Sequence, residues 1–281
     1  MKKHRTTIIT VLFFFIGLLI LLYPTISNHF NQKRQSRAIT NYEKILKNYS
    51  KKDYSDILSI ADTYNEELRK LDNPFITYDT LKGYSQLLNT NNDGMIGYLT
   101  IDKIKVELPI YHGTSDKVLS AAIGHLEGSS LPIGGKGTHS VLSAHRGLPS
   151  SKLFTDLDKL SLGDIFTITV LDQVLTYQVD KISIIKPNEI EDLKIDNNND
   201  YVTLMTCTPY GINTHRLLVR GIRVSNNNLK KTYVTTEAFI VNKLIVVLFL
   251  TIPIIIFLLL ILLLKPSNKN IKGGNKDVKK D

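Results

Sequence analysis

The alternation of apolar and polar positions divides the chain into stretches of different period. Thr7–Tyr23 and Leu244–Leu264 are apolar and carry no charged side chain. The second has 21 residues, enough to cross a hydrocarbon core of ~30 Å, and the first lies at the short end of that range. Ser36–Leu71 is polar and charged, but Ile45, Leu46, Tyr49, Tyr54, Ile57, Leu58, Ile60, Leu68 and Leu71 recur at roughly helical spacing. With an interruption at Lys51-Lys-Asp53, this spacing predicts two amphipathic helices, which suit a stalk or a layer packed on the next domain equally well. Asp72-Asn-Pro-Phe75 ends the second helix, because Asn73 precedes a proline and is pushed out of the helical region.

From Gly97 to Val224 the pattern changes to short β-branched and apolar runs separated by turn residues. Strands are predicted at 98–101, 105–111, 140–144, 165–171, 175–185, 202–206 and 216–224, with short helical pieces near Val118–Leu126 and Leu153–Leu160. Seven or eight strands over about 130 residues indicate a closed barrel or a sandwich. Two loops imitate ligand motifs and fail. Gly134-Gly-Lys-Gly137 lacks the spacing of a phosphate loop and reads as a hairpin turn. Asn89-Thr-Asn-Asn-Asp93-Gly94 begins like a calcium loop, but Thr100 stands where the bidentate Glu belongs, so it reads as a turn.

Charge follows the apolar runs. Residues 1–37 hold six Lys/Arg and no acid, and residues 265–281 hold six Lys against two Asp; these flanks carry +10, which leaves −1 for residues 38–264 of a chain whose total is +9. The basic balance therefore belongs to membrane flanks and gives no reason to expect nucleic acid as a partner. The lysine-rich tail predicts that the C-terminus is cytoplasmic, and two spans put the N-terminus on the same side. Thr25 and Ser27 imitate a signal-cleavage site only loosely, with Pro24 beside them, so the first run reads as a retained anchor.

The candidate chemistry centres on Val202-Thr-Leu-Met-Thr-Cys207-Thr-Pro-Tyr-Gly-Ile-Asn-Thr-His215-Arg216-Leu-Leu-Val-Arg-Gly221. Cys207, the only cysteine, sits where a strand stops. Thr208-Pro-Tyr-Gly211 is a turn, and a strand resumes at Arg216, so a hairpin would return a guanidinium to the mouth beside the thiol. A lone cysteine is more often a small buried hydrophobe. In a domain expected outside the membrane, a single free thiol invites a functional reading. Of the seven histidines, His4 and His29 lie at the membrane flank, and His112, His125, His139, His145 and His215 lie in the candidate domain. His145 ends the strand Ser140–Ala144 before the turn Arg146-Gly-Leu-Pro149, which places it at a barrel rim. No acid is placed to orient it, and no metal-ligand spacing or cofactor motif is present.

The Thr-Leu-x-Thr-Cys run followed by Arg216 resembles the signature of the sortases, and the longer match through Gly221 is similar to their class C, pilus-assembling branch. The resemblance extends over about residues 70–225. It implies a mainly β fold with an eight-stranded closed barrel, to which the periodic and apolar runs above add short helices, an N-terminal helical segment and two transmembrane helices. It maps the catalytic histidine to His145 in Thr138-His-Ser-Val-Leu-Ser-Ala-His-Arg-Gly-Leu-Pro149, beside the nucleophile Cys207 and Arg216, with His139 and His215 in buried or supporting roles. It also implies a lid, usually Asp-Pro-aromatic, whose Asp faces the arginine and whose ring covers the cysteine. Here Asp72, Asn73 and Phe75 occupy that place, with Asn73 at the Asp position. The loop Lys186–Asp200 falls on the segment that contributes to substrate recognition in sortases.

The layout expected is a cytoplasmic N-terminus at 1–6, a transmembrane helix or uncleaved signal anchor at 7–23, and an extracellular helical stalk at 24–71. A lid and connector at 72–96, the catalytic barrel at 97–225, a linker at 226–243, a second transmembrane helix at 244–264 and a basic cytoplasmic tail at 265–281 follow. The implied activity is transpeptidation at a plasma membrane. A Leu-Pro-x-Thr-Gly-like sorting signal of a pilin or surface protein is cleaved through a thioacyl-enzyme and joined to an amine, a pilin lysine or a cell-wall peptide. A cell-wall-anchoring sortase or a cysteine hydrolase of the same fold would use the same residues, and a non-catalytic, membrane-tethered binding barrel is the reading without chemistry.

Overall fold

The helix that carries the first apolar run continues past Tyr23. In the computed structural model, which describes residues 2–226, 251–252 and 255–256, helix α1 runs Lys2–Leu46 through Pro24 without a break. Its stretch Val11–Leu46 is long and apolar enough, by length and composition, to cross a membrane. Most of the second predicted span, the linker and the basic tail lie outside the described residues. Contacts group Leu18–Leu229 into one compact unit and Met1–Gly17 with Lys230–Asp281 into another. In the second unit the described side chains Ile9, Leu12, Phe13, Phe14 and Ile16 are exposed apolar residues of α1.

Within the larger unit, α2 (Lys51–Arg69) begins where Ser50 accepts from the Asp53 N–H while the Asp53 carboxylate accepts from the Ser50 N–H, a capping box. The Lys51-Lys-Asp53 interruption is therefore the first turn of α2. Ile39, Tyr42 and Leu46 of α1 and Ala61, Tyr64 and Leu68 of α2 are buried in the same core as the barrel. Each large side chain so buried contributes roughly 1.5–3 kcal/mol. Polar contacts fix the fit: Tyr42 donates to Ile96 O (3.2 Å) and accepts from Leu171 N–H (2.9 Å), and the Asn65 amide both donates to Leu131 O and accepts from its N–H. Of the two roles the sequence left open for 36–71, packing is the one observed. After α2, Pro74–Thr77 forms the single turn α3.

The barrel strands are β1 (Met95–Ile101), β2 (Val106–His112), β3 (Ile123–His125), β4 (Thr138–Ser143), β5 (Ile165–Val170), β6 (Gln173–Ile185), β7 (Asp200–Thr208) and β8 (His215–Val224). They close in the order β1-β2-β3-β4-β7-β8-β6-β5. Leu99, Ile101, Ile110, Ile123, Leu142, Phe166, Ile168, Leu204 and Val219 fill the interior. The sequence expectation fails at Val118–Leu126. Only Asp116–Leu119 is helical (α4), and residues 123–125 form β3, between β2 and β4. Gly124 permits this, since a Cβ there would lie 2.4 Å from Gly113 O. The piece expected at Leu153–Leu160 is reduced to one 3-10 turn, Leu157–Lys159.

The pairing that positions the site is β4 parallel to β7 and β7 antiparallel to β8. Along β7, Val202, Leu204 and Thr206 point into the barrel, so Thr203, Met205 and Cys207 lie on the outer face. Part of that outer face is covered by the β6–β7 connection, whose 3-10 turn Glu191–Leu193 places Leu193 in a small apolar cluster with Val141 and Leu218.

Candidate active site

Cys207 is the penultimate residue of β7, a free, half-buried thiol. Its direct partner across the antiparallel ladder is Arg216, the second residue of β8, and Thr208 pairs with His215. The hairpin expected from the sequence thus forms, and its register puts the thiol and the guanidinium on the same face. The Arg216 Nη1 donates to the carbonyls of Asn213 (3.3 Å) and His215 (3.2 Å), which folds the side chain back over its own turn.

On the other side of Cys207 is the end of β4. The paired register ends at Ser143 opposite Met205, but two hydrogen bonds extend the contact: Ala144 N–H donates to Met205 O (3.2 Å) and Thr206 Oγ1 donates to Ala144 O (2.8 Å). His145 therefore follows directly on a residue held against Met205 and Thr206, just beyond the end of β4. Of the three residues expected to act together, Cys207 and Arg216 are paired across β7 and β8, and His145 follows the end of β4, the strand on the other side of β7; all three are half-buried. Among the described residues, no side chain hydrogen-bonds the His145 ring, so the arrangement is a pair with an arginine and no orienting carboxylate.

The turn after His145 is braced. Phe154 N–H donates to His145 O (3.1 Å), and Gly147 N–H donates to Thr155 Oγ1 (3.1 Å). Arg146 ion-pairs with Asp158 and faces the Tyr210 ring at 5.8 Å. Gly147 has φ +75°, and a Cβ on it would come within 2.8 Å of Tyr210, so this glycine lets the two rims of the site touch. Sequence reasoning missed Arg146 and Tyr210 as a bridge between rims; an aromatic residue inside an otherwise small and polar turn was the available signal.

The segment expected to act as a lid is Asp72–Phe75. Phe75 is half-buried and packs on the cluster of Val141, Leu193 and Leu218, together with Leu126, Ile185 and Met205. Met205 and Leu218 precede Cys207 and follow Arg216 by two residues, so the ring rests on the face that carries the thiol, one row away. Gly128 lies beneath, where a Cβ would be 2.8 Å from Phe75 Cα. Asp72 is exposed and Asn73 half-buried. Among the described residues, neither forms a hydrogen bond or ion pair with Arg216, whose partners are the two carbonyls above.

The other histidines of the barrel are structural in their surroundings. His139 is 1% exposed, its Nδ1 at 2.8 Å from Lys194 O and its Nε2 at 2.7 Å from Thr203 Oγ1, and burial pushes its pKa down to about 4. His125 is fully buried between Tyr84 (2.8 Å) and Ser130 O (2.8 Å), and burial again pushes its pKa down to about 4. His112 contacts Gly94 O, and His215 contacts Thr214. The β6–β7 turn is fastened by Asp192, which accepts from Lys181 and Ser183, both at 2.6 Å, so its carboxyl is held below the usual range by those hydrogen bonds.

The family model described as a sortase domain matches residues 99–224. Sortase C1 from Streptococcus agalactiae is 49% identical, with a TM-score of 0.62 over 68% of this chain and 100% of that one. Sortase C from Streptococcus pneumoniae is 43% identical, with a TM-score of 0.60 over 67% of this chain and 97% of its own. Sortase C from Clostridium perfringens is 41% identical at a TM-score of 0.57, covering 67% and 99% of the two chains. A sortase A from Bacillus anthracis is 24% identical over 79% of this chain and 96% of its own. With a cysteine and an arginine paired across two barrel strands, a histidine just beyond the end of a third, and near-complete coverage of these relatives, the chain belongs to the sortase family of cysteine transpeptidases, among its class C members.

Proposed function

We propose that this protein is a membrane-tethered transpeptidase that cleaves a Leu-Pro-x-Thr-Gly-like sorting signal and transfers the carboxyl side of the cut to an amine, a pilin lysine in pilus polymerisation. The observation that carries this reading is the register Cys207–Arg216, with His145 just beyond the end of β4, the strand parallel to β7. The pilin assignment is supported by the relatives: the S. pneumoniae sortase C is described with pilin substrate specificity, and one from group B Streptococcus is pilus-related.

In this mechanism the Cys207 thiolate adds to the carbonyl carbon of the Thr–Gly bond. The carbonyl π electrons move to oxygen, and the Arg216 guanidinium, permanently cationic, stabilises that oxyanion. When the oxyanion collapses, the C–N bond breaks and the His145 imidazolium gives its proton to the departing glycine amine. A thioester on Cys207 remains. The incoming amine gives a proton to neutral His145 as it attacks the thioester, the C–S bond breaks, and the thiolate returns as the amide forms. The half-buried setting suits a large peptide substrate, which reaches the thiol along the outer face. Phe75 lies on this path, and we read Asp72-Asn-Pro-Phe75 as a lid that the substrate displaces. The apolar stretch of α1 serves as the membrane anchor, with the barrel outside and both termini cytoplasmic.

Mass spectrometry of the protein mixed with a sorting-signal peptide tests the assignment. A thioacyl adduct forms on Cys207 in the wild type and is absent in Cys207→Ala. An adduct elsewhere, or peptide cleavage by the alanine variant, removes Cys207 as nucleophile. Adding a lysine-like amine separates a transpeptidase, which gives the ligated product, from a hydrolase, which gives only the free acid. No adduct and no cleavage in the wild type leave the non-catalytic binding barrel.

A further inference from the structure

We infer that Asn28, Asn31 and Gln35 of α1 are positioning residues for His145, so that the helix carrying the apolar anchor also sets the geometry of proton transfer. The inference rests on the reading of His145 as the proton donor in the transpeptidation proposed above.

His145 lies beyond the last ladder pair of β4, so its place depends on the loop that follows it. That loop turns back at once: Leu148 and Ser151 bridge to each other, and Phe154 N–H returns to His145 O. The outer limb of the loop, residues 150–152, is held by α1. Asn28 Oδ1 accepts from Lys152 N–H at 2.9 Å, Asn31 Nδ2 donates to Ser150 O at 2.8 Å, and Gln35 Nε2 lies 3.4 Å from Ser151 Oγ while donating to Ala121 O at 2.7 Å. Three of these four contacts reach consecutive residues of a single loop. The side chains rise along one stripe of α1, at i, i+3 and i+7, which continues into Ile39, Tyr42 and Leu46 on the barrel.

Docking the helix does not require amides there. The apolar residues below already bury the helix, and Gln35 and Ser151, 6% and 2% exposed, must each recover the hydrogen bonds they lose to water. What amides add is direction. Apolar contacts tolerate a helix that slides or rolls slightly, whereas an amide facing a particular carbonyl or N–H fixes the loop to a single register. The loop so fixed is the one whose first residue is His145. A displacement of ~1 Å at a reacting group can cost on the order of 10²-fold in rate, so a partial release of this loop is expected to lower turnover by about tenfold.

The atoms involved make the test specific. Asn28 acts as an acceptor and Asn31 as a donor, so Asn28→Asp keeps its contact, whereas Asn31→Asp sets a carboxylate against Ser150 O and loses it. In the full chain, in detergent or vesicles, the expected result is that Asn31→Asp and Gln35→Ala lower the rate of thioacyl formation about tenfold with little change in the KM for a sorting peptide. Asn28→Asp, and Arg34→Ala on the exposed side of the same turn, stay near wild type. The second readout is the pH profile of Cys207 alkylation by a small thiol reagent, which senses His145 without substrate. It should move in Asn31→Asp and Gln35→Ala in the same direction as in His145→Ala. If His145→Ala leaves the profile unchanged, the role of His145 fails. If His145→Ala moves it and both α1 variants remain at wild-type profile and rate, the coupling is refuted. A fall in thermal stability with unchanged turnover also refutes it, because the amides would then only dock the helix.

Discussion

Mild acidification should destabilise this barrel through its buried histidines. His125 and His139 are buried with both ring nitrogens engaged, and burial holds each near pKa 4, against 6.5 when exposed. The folded state therefore binds fewer protons than the unfolded state between those values, and stability falls as the pH drops through that window. At pH 5 each unfolded histidine is 1.5 units below its pKa, which at 1.36 kcal/mol per unit costs the native state about 2 kcal/mol apiece, or roughly 4 kcal/mol for the pair relative to pH 7. His112, depressed by burial as well, acts in the same direction. Asp156, Asp164 and Asp192 have lowered pKa values, so their contribution is present above 3.8 and is lost only below it. Asp200 and Glu107 are raised by burial and oppose the trend, gaining stability as they protonate. With a denaturant slope of ~2 kcal/mol per M urea, the midpoint followed by circular dichroism should drop by about 2 M between pH 7 and pH 5. His139→Gln, which keeps a donor and an acceptor but does not titrate, should remove about half of that drop. Equal pH dependence in the wild type and in His139→Gln would show that this imidazole does not stay neutral in the fold.

Arg216→Lys keeps the charge but loses the planar fork, and a fall of ~10²–10³ in kcat/KM, about 3–4 kcal/mol, is expected; activity within threefold of wild type would leave Arg216 a structural role. Phe75→Ala should speed alkylation of Cys207 and Asn73→Asp should slow it, because a carboxylate can pair with Arg216 where the amide does not; unchanged rates in both variants would reduce Asp72-Asn-Pro-Phe75 to a helix terminator. Protease added to intact protoplasts should remove the barrel and spare a C-terminal tag; loss of the tag would reverse the proposed topology.

The antiparallel half of the site was legible because Cys207 and Arg216 are joined by one short turn, and the flanking β-branched runs leave a single sensible register. The parallel half was not. β4 and β7 lie far apart in sequence, and no local signal says that the strand before His145 lies beside that of Cys207, so only the family resemblance named it. β3 escaped because three residues, Ile123-Gly-His125, carry too little period to separate a strand from the end of a helix. Its glycine, required by the close approach of Gly113, was the clue. The break expected at Lys51–Asp53 was a helix start, since Ser50 and Asp53 stand at capping-box spacing. The length of α1 was obscured by Pro24, which reads as a boundary on local rules yet lies inside a continuous helix.

A thiol near the end of one strand and a guanidinium near the start of the next have a consequence for how such a protein changes over generations. Strand register behaves like a two-letter parity code: adding or deleting a single residue within β7 before Cys207 would send the thiol to the barrel interior and bring a neighbour to the outer face. The connection 186–199 obeys no such parity, because it joins β6 to β7 outside the Cys207–Arg216 hairpin. Insertions can therefore accumulate in this connection while Cys207 and Arg216 keep their pairing. Grafting a loop from another barrel of this kind should change what the enzyme accepts without changing what it does to the bond.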